Sequence, residues 1–281
     1  MIGLVQPSYD RRKNMPKAKV KNIEIAYSLR GTGDPLVLVS GFTMTKETWG
    51  PMVSELTRHF QVLTFDNRGV GETTPPCAPF TIADMASDTV GLLDALGIEK
   101  AHFFGVSMGG LVTQTLLLDH PGRVLRAGLG CTSHGGRQAV QPPPEIMTGL
   151  ASIADPSVPA KERMRRAMPI LYSERFIREN PEKLEEFVQA STRYLPTPEG
   201  ATAQFQALSV FNVKKRLSEI RHPVLVITGD QDRMMPPDNS RLLSDGIAGA
   251  KLCMIEGAGH SFFHEEPHQV ASILIDFFGA S

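Results

Sequence analysis

The chain has 281 residues, of which 41% are hydrophobic and 21% are charged. A chain of this length can bury a sizeable apolar core, and its composition excludes intrinsic disorder, collagen-like repeats and small disulfide scaffolds. With 29 Lys and Arg against 30 Asp and Glu, the net charge of −1 gives no broad electrostatic field for a nucleic-acid partner.

Cysteine usage and targeting patterns predict a cytoplasmic protein without a membrane partner. The three cysteines, Cys77, Cys131 and Cys253, are widely spaced and form no CxxC pair, so neither a zinc site nor a redox motif is indicated. The N-terminus shows no signal-peptide core, and no apolar run approaches the length of a membrane span. Residues 1–18, which include several basic side chains, are predicted to be a flexible extension.

After the extension, short apolar runs alternate with segments of helical periodicity. Val20 to Leu29 alternates in polarity and is predicted to form an antiparallel edge hairpin with the strand that begins at Pro35. Strands are predicted at 35–39, 61–65, 101–106, 124–131, 223–228 and 251–255, and helices at 47–59, 81–96, 111–119 and 267–278. Thr81 is a candidate cap of the second helix. The alternation predicts an α/β fold with a mostly parallel central sheet and helices on both faces.

The alternation stops between residues 133 and 212. The periodic parts of this stretch, at 159–171, 181–194 and 201–211, have helical spacing, and no buried-strand run interrupts them. We predict that residues 134–211 form a helical cap, and that residues 19–133 and 212–281 form the core. The alternative is that these helices continue the layer that covers the sheet.

The motif that points to chemistry is Gly105 to Gly110, with the sequence GVSMGG. It follows an apolar strand and precedes a helical segment, so Ser107 is predicted to sit on a sharp turn at the carboxyl end of the sheet. Glycines two residues before and two after the serine would relieve the crowding of such a turn. The Met108 N–H, at the helix start, would then face a developing oxyanion.

A serine hydroxyl is a weak nucleophile until a base takes its proton, and the base needs a third group to hold its tautomer. Candidates for both groups follow predicted strands downstream. His260 comes just after the strand at 251–255, and Asp230 and Asp232 come just after the strand at 223–228. The chain order Ser, Asp, His is the order that accompanies this type of serine turn.

Four segments together resemble the α/β-hydrolase superfamily over about residues 19–281. They are Ser40 to Thr43, Asp66 to Gly71, the GVSMGG turn, and the paired Asp232 and His260 loops. Within the superfamily the chain is similar to esterases, 3-oxoadipate enol-lactonase-like hydrolases and cofactor-free haloperoxidase-like perhydrolases. The resemblance implies an α/β-hydrolase fold and an enzyme that needs no cofactor.

The resemblance also assigns roles to residues. Ser107 corresponds to the nucleophile, His260 to the general base, and Asp232 to the carboxylate that orients it; Asp230 is the rival, expected to stabilise its loop. Phe42 and Met108 correspond to the oxyanion-hole residues. Family members often carry histidine where this chain has Ser40. The sequence therefore leaves open which contacts hold the oxyanion loop, the segment Ser40 to Thr43, in place. The Asp66 to Gly71 segment is expected to shape a turn.

Weaker sequence signals concern substrate contacts, the remaining histidines and the apolar residues of the cap. Gly41, Thr43 and Trp49 are candidates for substrate contact, although the role of core anchor is the favoured interpretation for Trp49. His260, His264 and His268 recur every four residues, but Pro267 interrupts that spacing, so no metal site is predicted. His134 is expected at the surface, with a position bordering the site as the alternative, and His264 is expected to face either the start of the last helix or the surface. A few apolar cap residues are expected to face Ser107, from the set Met147, Leu150, Met164, Met168, Leu171, Phe176, Phe187, Phe205 and Phe211.

The leading hypothesis is a serine hydrolase that cleaves a small carboxylic ester or lactone through an acyl-enzyme. A second hypothesis keeps the fold but changes the chemistry, to perhydrolysis or to carbon–carbon bond cleavage. The carbon–carbon hydrolases often have asparagine before the serine, where this chain has Val106. A third hypothesis is a ligand receptor that retains the three residues without turnover. A homodimer formed through apolar cap surface is possible in each case.

Overall fold

The computed structural model describes residues 15–75, 78–154, 157–192 and 196–279. Most of the predicted N-terminal extension and Cys77 lie outside these residues. The first strand begins at Lys17, inside the predicted extension, so the boundary at residue 18 was placed too late. No helix in the described ranges is long and apolar enough to cross a membrane.

Eight strands form one sheet in the order β1-β2-β4-β3-β5-β6-β7-β8. The strands are β1 (Lys17–Val20), β2 (Ile23–Arg30), β3 (Pro35–Val39), β4 (Gln61–Phe65), β5 (Ala101–Val106), β6 (Val124–Gly130), β7 (Val224–Gly229) and β8 (Lys251–Ile255). All neighbouring pairs from β4 to β8 are parallel, whereas β1 and β2 are antiparallel additions at one edge. This is the predicted α/β-hydrolase architecture, with a mostly parallel sheet.

The predicted pairing of the edge hairpin is wrong. The strand β2 pairs with β1 and β4, not with β3. Both edges of β3 are already occupied, by β4 on one side and β5 on the other, so the hairpin has no free edge of β3 to join. Alternation in a sequence indicates which face of a strand is buried, but it does not identify the neighbouring strand.

Eleven α-helices are described. They are α1 (Gly50–Leu56), α2 (Ile82–Ala95), α3 (Met108–Asp119), α4 (Pro144–Ala154), α5 (Ala160–Leu171), α6 (Glu174–Glu179), α7 (Pro181–Ser191), α8 (Pro198–Ser209), α9 (Asp238–Gly246), α10 (Phe262–Glu265) and α11 (Pro267–Gly279). Thr81 caps α2 as predicted, because its hydroxyl accepts from the Asp84 N–H while the Asp84 carboxylate accepts from the Thr81 N–H. The helices α4, α6, α9 and α10 were not predicted.

Helices cover both faces of the sheet and create two large apolar clusters. One cluster contains Phe103, Leu111 and Val112, and the other contains Trp49, Phe104 and Phe262. The successive residues Phe103 and Phe104 point to opposite faces, as strand geometry requires. Because both faces are covered, every residue of β5 and β7 is buried, which explains why these strands have continuous apolar sequences.

Between β6 and β7 the described residues contain five helices, α4 to α8, and no strand. A single bridge between Gly135 and Asn212 joins the two ends of this insertion. Helices α5, α6 and α7 pack around their own apolar cluster, which includes Met168, Tyr172 and Phe176. The helix α8 differs, because its Ala203 and Ala207 belong to a cluster of the sheet. The insertion thus combines a separate helical layer with one helix packed directly on the core.

Candidate active site

The sheet topology brings several loops to one edge. The chain passes from β3 to β4 on one side and then returns to β5 on the other side of β3. Loops that follow β3 and β5 therefore diverge at a switch point, where open α/β sheets form their binding crevices. Ser40 to Thr43 follows β3, and Ser107 follows β5. The Asp232 and His260 loops follow β7 and β8 at the same edge of the sheet.

Ser107 occupies a strained turn between β5 and α3. Its backbone has φ 53° and ψ −119°, a conformation that a side chain other than glycine rarely adopts. The Ser107 N–H donates to the Gly130 carbonyl at 2.8 Å, and the Ser107 carbonyl accepts from the Thr132 hydroxyl at 2.8 Å. These bonds tie the serine to the end of β6 and hold the turn in place.

The glycines on either side of Ser107 are required by space. A Cβ at Gly105 would lie 2.2 Å from the Gly109 carbonyl oxygen, and a Cβ at Gly109 would lie 2.0 Å from the Val39 carbonyl oxygen. The turn therefore packs against the end of β3 as well as against itself. This is the crowding that the sequence motif indicated.

The loop after β3 approaches the serine closely. A Cβ at Gly41 would lie 3.4 Å from the Ser107 Cβ. The Met44 N–H donates to the Gly41 carbonyl at 3.2 Å, which closes a four-residue turn around Phe42 and Thr43. Within the described part of the chain, neither the Phe42 N–H nor the Met108 N–H donates to a protein acceptor. Both predicted oxyanion donors are thus available.

The bracing of this loop, which the sequence left open, comes from Ser40 and its neighbours. The Ser40 hydroxyl accepts from Trp49 Nε1 at 2.9 Å, and the Ser40 carbonyl accepts from Asn67 Nδ2 at 3.0 Å. Trp49 is 1% exposed and packs against Phe104 and Phe263. Its burial favours the core role and corrects its assignment as a substrate contact.

A buried ion pair fixes the next turn. Lys46 Nζ lies 2.9 Å from Asp66 Oδ2, and the Asp66 carboxylate also accepts from the Lys46 N–H at 2.8 Å and the Glu72 N–H at 3.0 Å. Burial alone would lower the pKa of Lys46, but Asp66 and Glu47 outweigh it and raise the pKa to about 12. The Asp66 to Gly71 segment therefore shapes its turn, and Lys46 is a partner that the sequence did not reveal.

The two candidate aspartates, Asp230 and Asp232, have different hydrogen-bond partners in the structure. His260 Nδ1 lies 2.8 Å from Asp232 Oδ2, and both side chains are buried. The other Asp232 oxygen accepts from the Met235 N–H at 2.7 Å. Asp230 instead accepts from the Gly257 N–H at 2.7 Å and so bridges the β7 and β8 loops. Asp232 is the carboxylate that can hold the imidazole tautomer.

Cys131 lies next to this pair and was not predicted. Its thiol sulfur, a carboxylate oxygen of Asp232 and a ring nitrogen of His260 all lie within 4.8 Å of one another. Burial, together with the charge of Asp232, raises the pKa of the Cys131 thiol well above its usual value, although the Ser107 N–H opposes the shift. A neutral thiol therefore lies beside the His260–Asp232 pair. These three residues are the only metal-type cluster in the described ranges.

The other histidines lie apart from His260. His264 is partly buried against the cap, with Nδ1 2.9 Å from the Tyr172 hydroxyl and Nε2 2.8 Å from the Thr48 carbonyl. His268 contacts Glu55. The periodic histidines thus do not converge on one site. His264 lies in the short helix α10, just before α11 begins, which is one of the two positions expected for it. His134 is also buried, at 1% exposure, and its carbonyl accepts from the Val213 N–H beside the Gly135–Asn212 bridge, so its expected surface position is wrong.

The end of α5 is anchored to the His260 loop. The Glu265 carboxylate accepts from the Ser173 hydroxyl at 2.6 Å, the Ser173 N–H at 2.9 Å and the Gly259 N–H at 2.9 Å. The Ser261 N–H donates to the Leu171 carbonyl at 2.7 Å. One buried carboxylate therefore connects the cap to the residue before His260.

Of the apolar cap residues, Phe205 has a contact that bears on the site. Its ring lies edge-on to Phe42, with 6.5 Å between the ring centroids, and it is 59% exposed. Met168 and Phe176 instead fill the interior of the cap cluster. Phe205 therefore places an exposed aromatic face beside the oxyanion loop.

Comparisons with known proteins agree on the fold and differ in the named reaction. A family model described as the alpha/beta hydrolase fold matches residues 34–267. A putative carbamate hydrolase of Azorhizobium caulinodans is 29% identical, over 94% of this chain and 98% of that protein. A putative non-heme bromoperoxidase of Mycobacterium tuberculosis is 29% identical, over 92% and 98%. The enol-lactonase structure of Burkholderia xenovorans has a TM-score of 0.83 and 26% identity, covering 94% of this chain and 100% of that one.

Proposed function

The chain belongs to the alpha/beta hydrolase family, and we propose that it is a serine hydrolase that cleaves a carboxylic ester or a lactone. The observation that carries the proposal is the buried His260–Asp232 pair, 2.8 Å apart, at the same sheet edge as the strained Ser107 turn. Similarity to an enol-lactonase structure and to a putative carbamate hydrolase supports attack on an acyl carbonyl.

The first half of the reaction forms an acyl-enzyme. Ser107 Oγ attacks the carbonyl carbon while His260 Nε2 accepts its proton, and Asp232 stabilises the imidazolium through Nδ1–H. The carbonyl oxygen takes up negative charge between the Phe42 and Met108 N–H groups. His260 then returns the proton to the leaving alcohol, and the carbon–oxygen bond of the ester breaks.

The second half releases the acid. His260 accepts a proton from water, the resulting hydroxide attacks the acyl carbon, and the proton returns to Ser107 as the ester bond to the enzyme breaks. In a lactone the leaving alcohol stays tethered to the acyl group, so the same steps open the ring.

Turnover of a matched panel tests this proposal. The panel contains p-nitrophenyl esters of increasing chain length, a set of lactones and an aryl carbamate, with Ser107→Ala assayed beside the wild type. We expect the wild type to hydrolyse esters or lactones and Ser107→Ala to lose at least about 10³-fold in kcat. Turnover retained in Ser107→Ala would overturn the proposal.

Perhydrolysis is the second candidate, favoured by the similarity to a putative non-heme bromoperoxidase. Hydrogen peroxide would replace water in the second half, and the acyl-enzyme would release a peracid. Peroxide-dependent bromination in acetate buffer, measured against ester hydrolysis in the same preparation, discriminates the two. Bromination without ester or lactone turnover would favour this candidate.

A further inference from the structure

Gln204 is a cap residue whose polar side chain is completely enclosed. It lies on α8 and is 0% exposed. Its Oε1 accepts from the Thr43 N–H at 2.9 Å, and its Nε2 donates to the Arg68 carbonyl at 2.9 Å. In a glutamine amide only the oxygen can accept from an N–H, and only the nitrogen can donate to a carbonyl. The two partners therefore fix the orientation of the side chain.

The partner at the oxyanion loop, Thr43, is in an unfavourable conformation. Among Gly41, Phe42, Thr43 and Met44, only Thr43 has a positive φ, of 59°. A positive φ at the third position of a turn is the requirement of a type II turn, which normally takes glycine or asparagine there. A β-branched residue such as threonine is an outlier in this region. The turn is therefore held by contacts from outside it, and Gln204 binds the peptide N–H of the strained residue itself.

Close packing fixes the helix that supplies Gln204. A Cβ at Gly200 would lie 2.1 Å from the Gly69 carbonyl oxygen, and a Cβ at Gly69 would lie 3.1 Å from the Gly200 carbonyl oxygen. The backbone of α8 thus touches the Asp66 to Gly71 turn directly. Arg68, whose carbonyl receives Gln204, is itself paired with Asp88, with 2.6 Å between Nη2 and Oδ1. Gln204 therefore has a rigid support on the side away from Thr43.

We propose that Gln204 is a positioning residue for the oxyanion hole. Its amide holds the Gly41–Met44 turn in the conformation that directs the Phe42 N–H toward the carbonyl oxygen of an acyl group on Ser107. The cap thereby contributes to transition-state stabilisation through a residue that does not touch the substrate. This inference rests on the proposed function, because it assumes that an oxyanion forms at Ser107.

The test compares Gln204→Met with Gln206→Met, a matched change at an exposed position of the same helix. For each full-length variant we would measure kcat and KM for p-nitrophenyl acetate, the inhibition constant of an aryl trifluoromethyl ketone, and Tm. The ketone forms a tetrahedral oxyanion on the serine and so reports the oxyanion hole directly. We expect Gln204→Met to lose about 10- to 100-fold in kcat and a similar factor in ketone affinity, with KM changed less than about threefold. Gln206→Met should match the wild type.

A double-mutant cycle with Thr43→Gly tests the coupling. Glycine adopts a positive φ without strain, so Gln204→Met should cost much less in ketone affinity when Thr43 is replaced. Equal losses in both backgrounds would overturn the proposal. A fall in Tm with unchanged kcat and ketone affinity, or a rise in KM alone, would also overturn it, since either result indicates a role in packing or in substrate contact.

If Gln204→Met does not fold, Gln204→Glu serves instead. A buried glutamic acid in its neutral form keeps an acceptor for the Thr43 N–H and a donor for the Arg68 carbonyl. Ketone affinity within about threefold of wild type is then expected, and a loss above about tenfold would overturn the proposal. Ser107→Ala separates this inference from the proposed function. Full turnover in Ser107→Ala would mean that the proposed function fails. Loss of turnover in Ser107→Ala, together with unchanged kcat and ketone affinity in Gln204→Met, would mean that only the inference fails.

Discussion

At the scale of single residues, the orientation of His260 depends on which of two neighbouring aspartates faces it. Asp232 contacts the imidazole at 2.8 Å, and Asp230 bonds the Gly257 N–H. An amide in place of the Asp232 carboxylate would favour the wrong imidazole tautomer and would no longer stabilise the imidazolium. The two positions therefore provide a matched comparison within one loop.

We expect Asp232→Asn to lower kcat for the best ester or lactone by about 10³- to 10⁴-fold, and Asp230→Asn to lower it by less than about tenfold. Steady-state kinetics on both variants, with circular dichroism to verify folding, checks the prediction. Equal losses in the two variants, or a larger loss in Asp230→Asn, would contradict the assignment of Asp232.

His264 makes stability depend on pH. Its Nε2–H donates to the Thr48 carbonyl, so its Nδ1 accepts from the Tyr172 hydroxyl. Burial outweighs the Thr48 bond and lowers the pKa of His264 from 6.5 to about 4. A proton on Nδ1 would break the Tyr172 bond and place a charge at a partly buried position.

The unfolded chain therefore binds this proton at higher pH than the folded protein does. The stability that neutral His264 contributes is complete above pH 6.5 and is lost as the pH falls toward 4, by at most about 3 kcal/mol. Denaturant unfolding at pH 7.5 and pH 5 should show a smaller pH dependence in His264→Gln than in the wild type. The exposed His59→Gln should behave like the wild type, and an unchanged pH dependence in His264→Gln would contradict the prediction.

How far the sequence predicts the site depends on how local each contact is. The Ser107 turn could be predicted because its strain and its two glycines lie within five consecutive residues. The sequence did not reveal Cys131, Lys46 or Gln204, because each acts through partners that only the folded chain brings near. Gln204 and Thr43 are 161 residues apart, and neither belongs to a recognisable motif. His134 was misplaced for the same reason, since the chain that buries it returns from the far end of the insertion.

At the scale of secondary structure elements, α8 connects the insertion to the site. It carries Gln204, which holds the oxyanion loop, and Phe205, whose ring meets Phe42 edge-on. With 59% of its surface exposed, Phe205 offers an apolar face to an acyl chain that extends from Ser107.

Truncating this ring should change chain-length preference. We expect Phe205→Ala to lower kcat/KM for the longer p-nitrophenyl esters by about fivefold, equivalent to about 1 kcal/mol of apolar contact, and to leave the acetate unchanged. Val210→Ala, at a residue that is 75% exposed just beyond the same helix, is the control and should show no change. A uniform loss across all chain lengths would contradict a specificity role for Phe205.

The positions of the strands in the sequence were easier to predict than their pairing in the sheet. The six apolar runs assigned as strands are all strands. In β5 and β7, burial on both faces leaves a continuous buried sequence, whereas β8, at the sheet edge, is buried only at Ile255. The partner of β2 was wrong, since strand order is decided by chain segments far apart. The short helix α9 was missed because it has only two apolar residues, Leu242 and Leu243, and two of its three buried residues, Asn239 and Ser240, are polar.

At the scale of the whole molecule, one sheet edge gathers the groups that acyl transfer needs. The nucleophile candidate, the oxyanion donors and the His260–Asp232 pair come from loops after four different strands. Because parallel strands end together at one edge, residues up to about 200 positions apart meet there. The insertion between β6 and β7 is tied to this edge at two points, Gln204 on the oxyanion loop and Glu265 beneath the His260 loop.

The most direct test of the account is to trap the acyl-enzyme. The wild type and Ser107→Ala would be mixed with a p-nitrophenyl ester, quenched in acid during turnover, digested and analysed by mass spectrometry. We predict that the acyl mass appears on the peptide containing Ser107 in the wild type and is absent from Ser107→Ala. Turnover without an acylated Ser107 peptide, or with the acyl group on another residue, would contradict the central claim that Ser107 is the nucleophile.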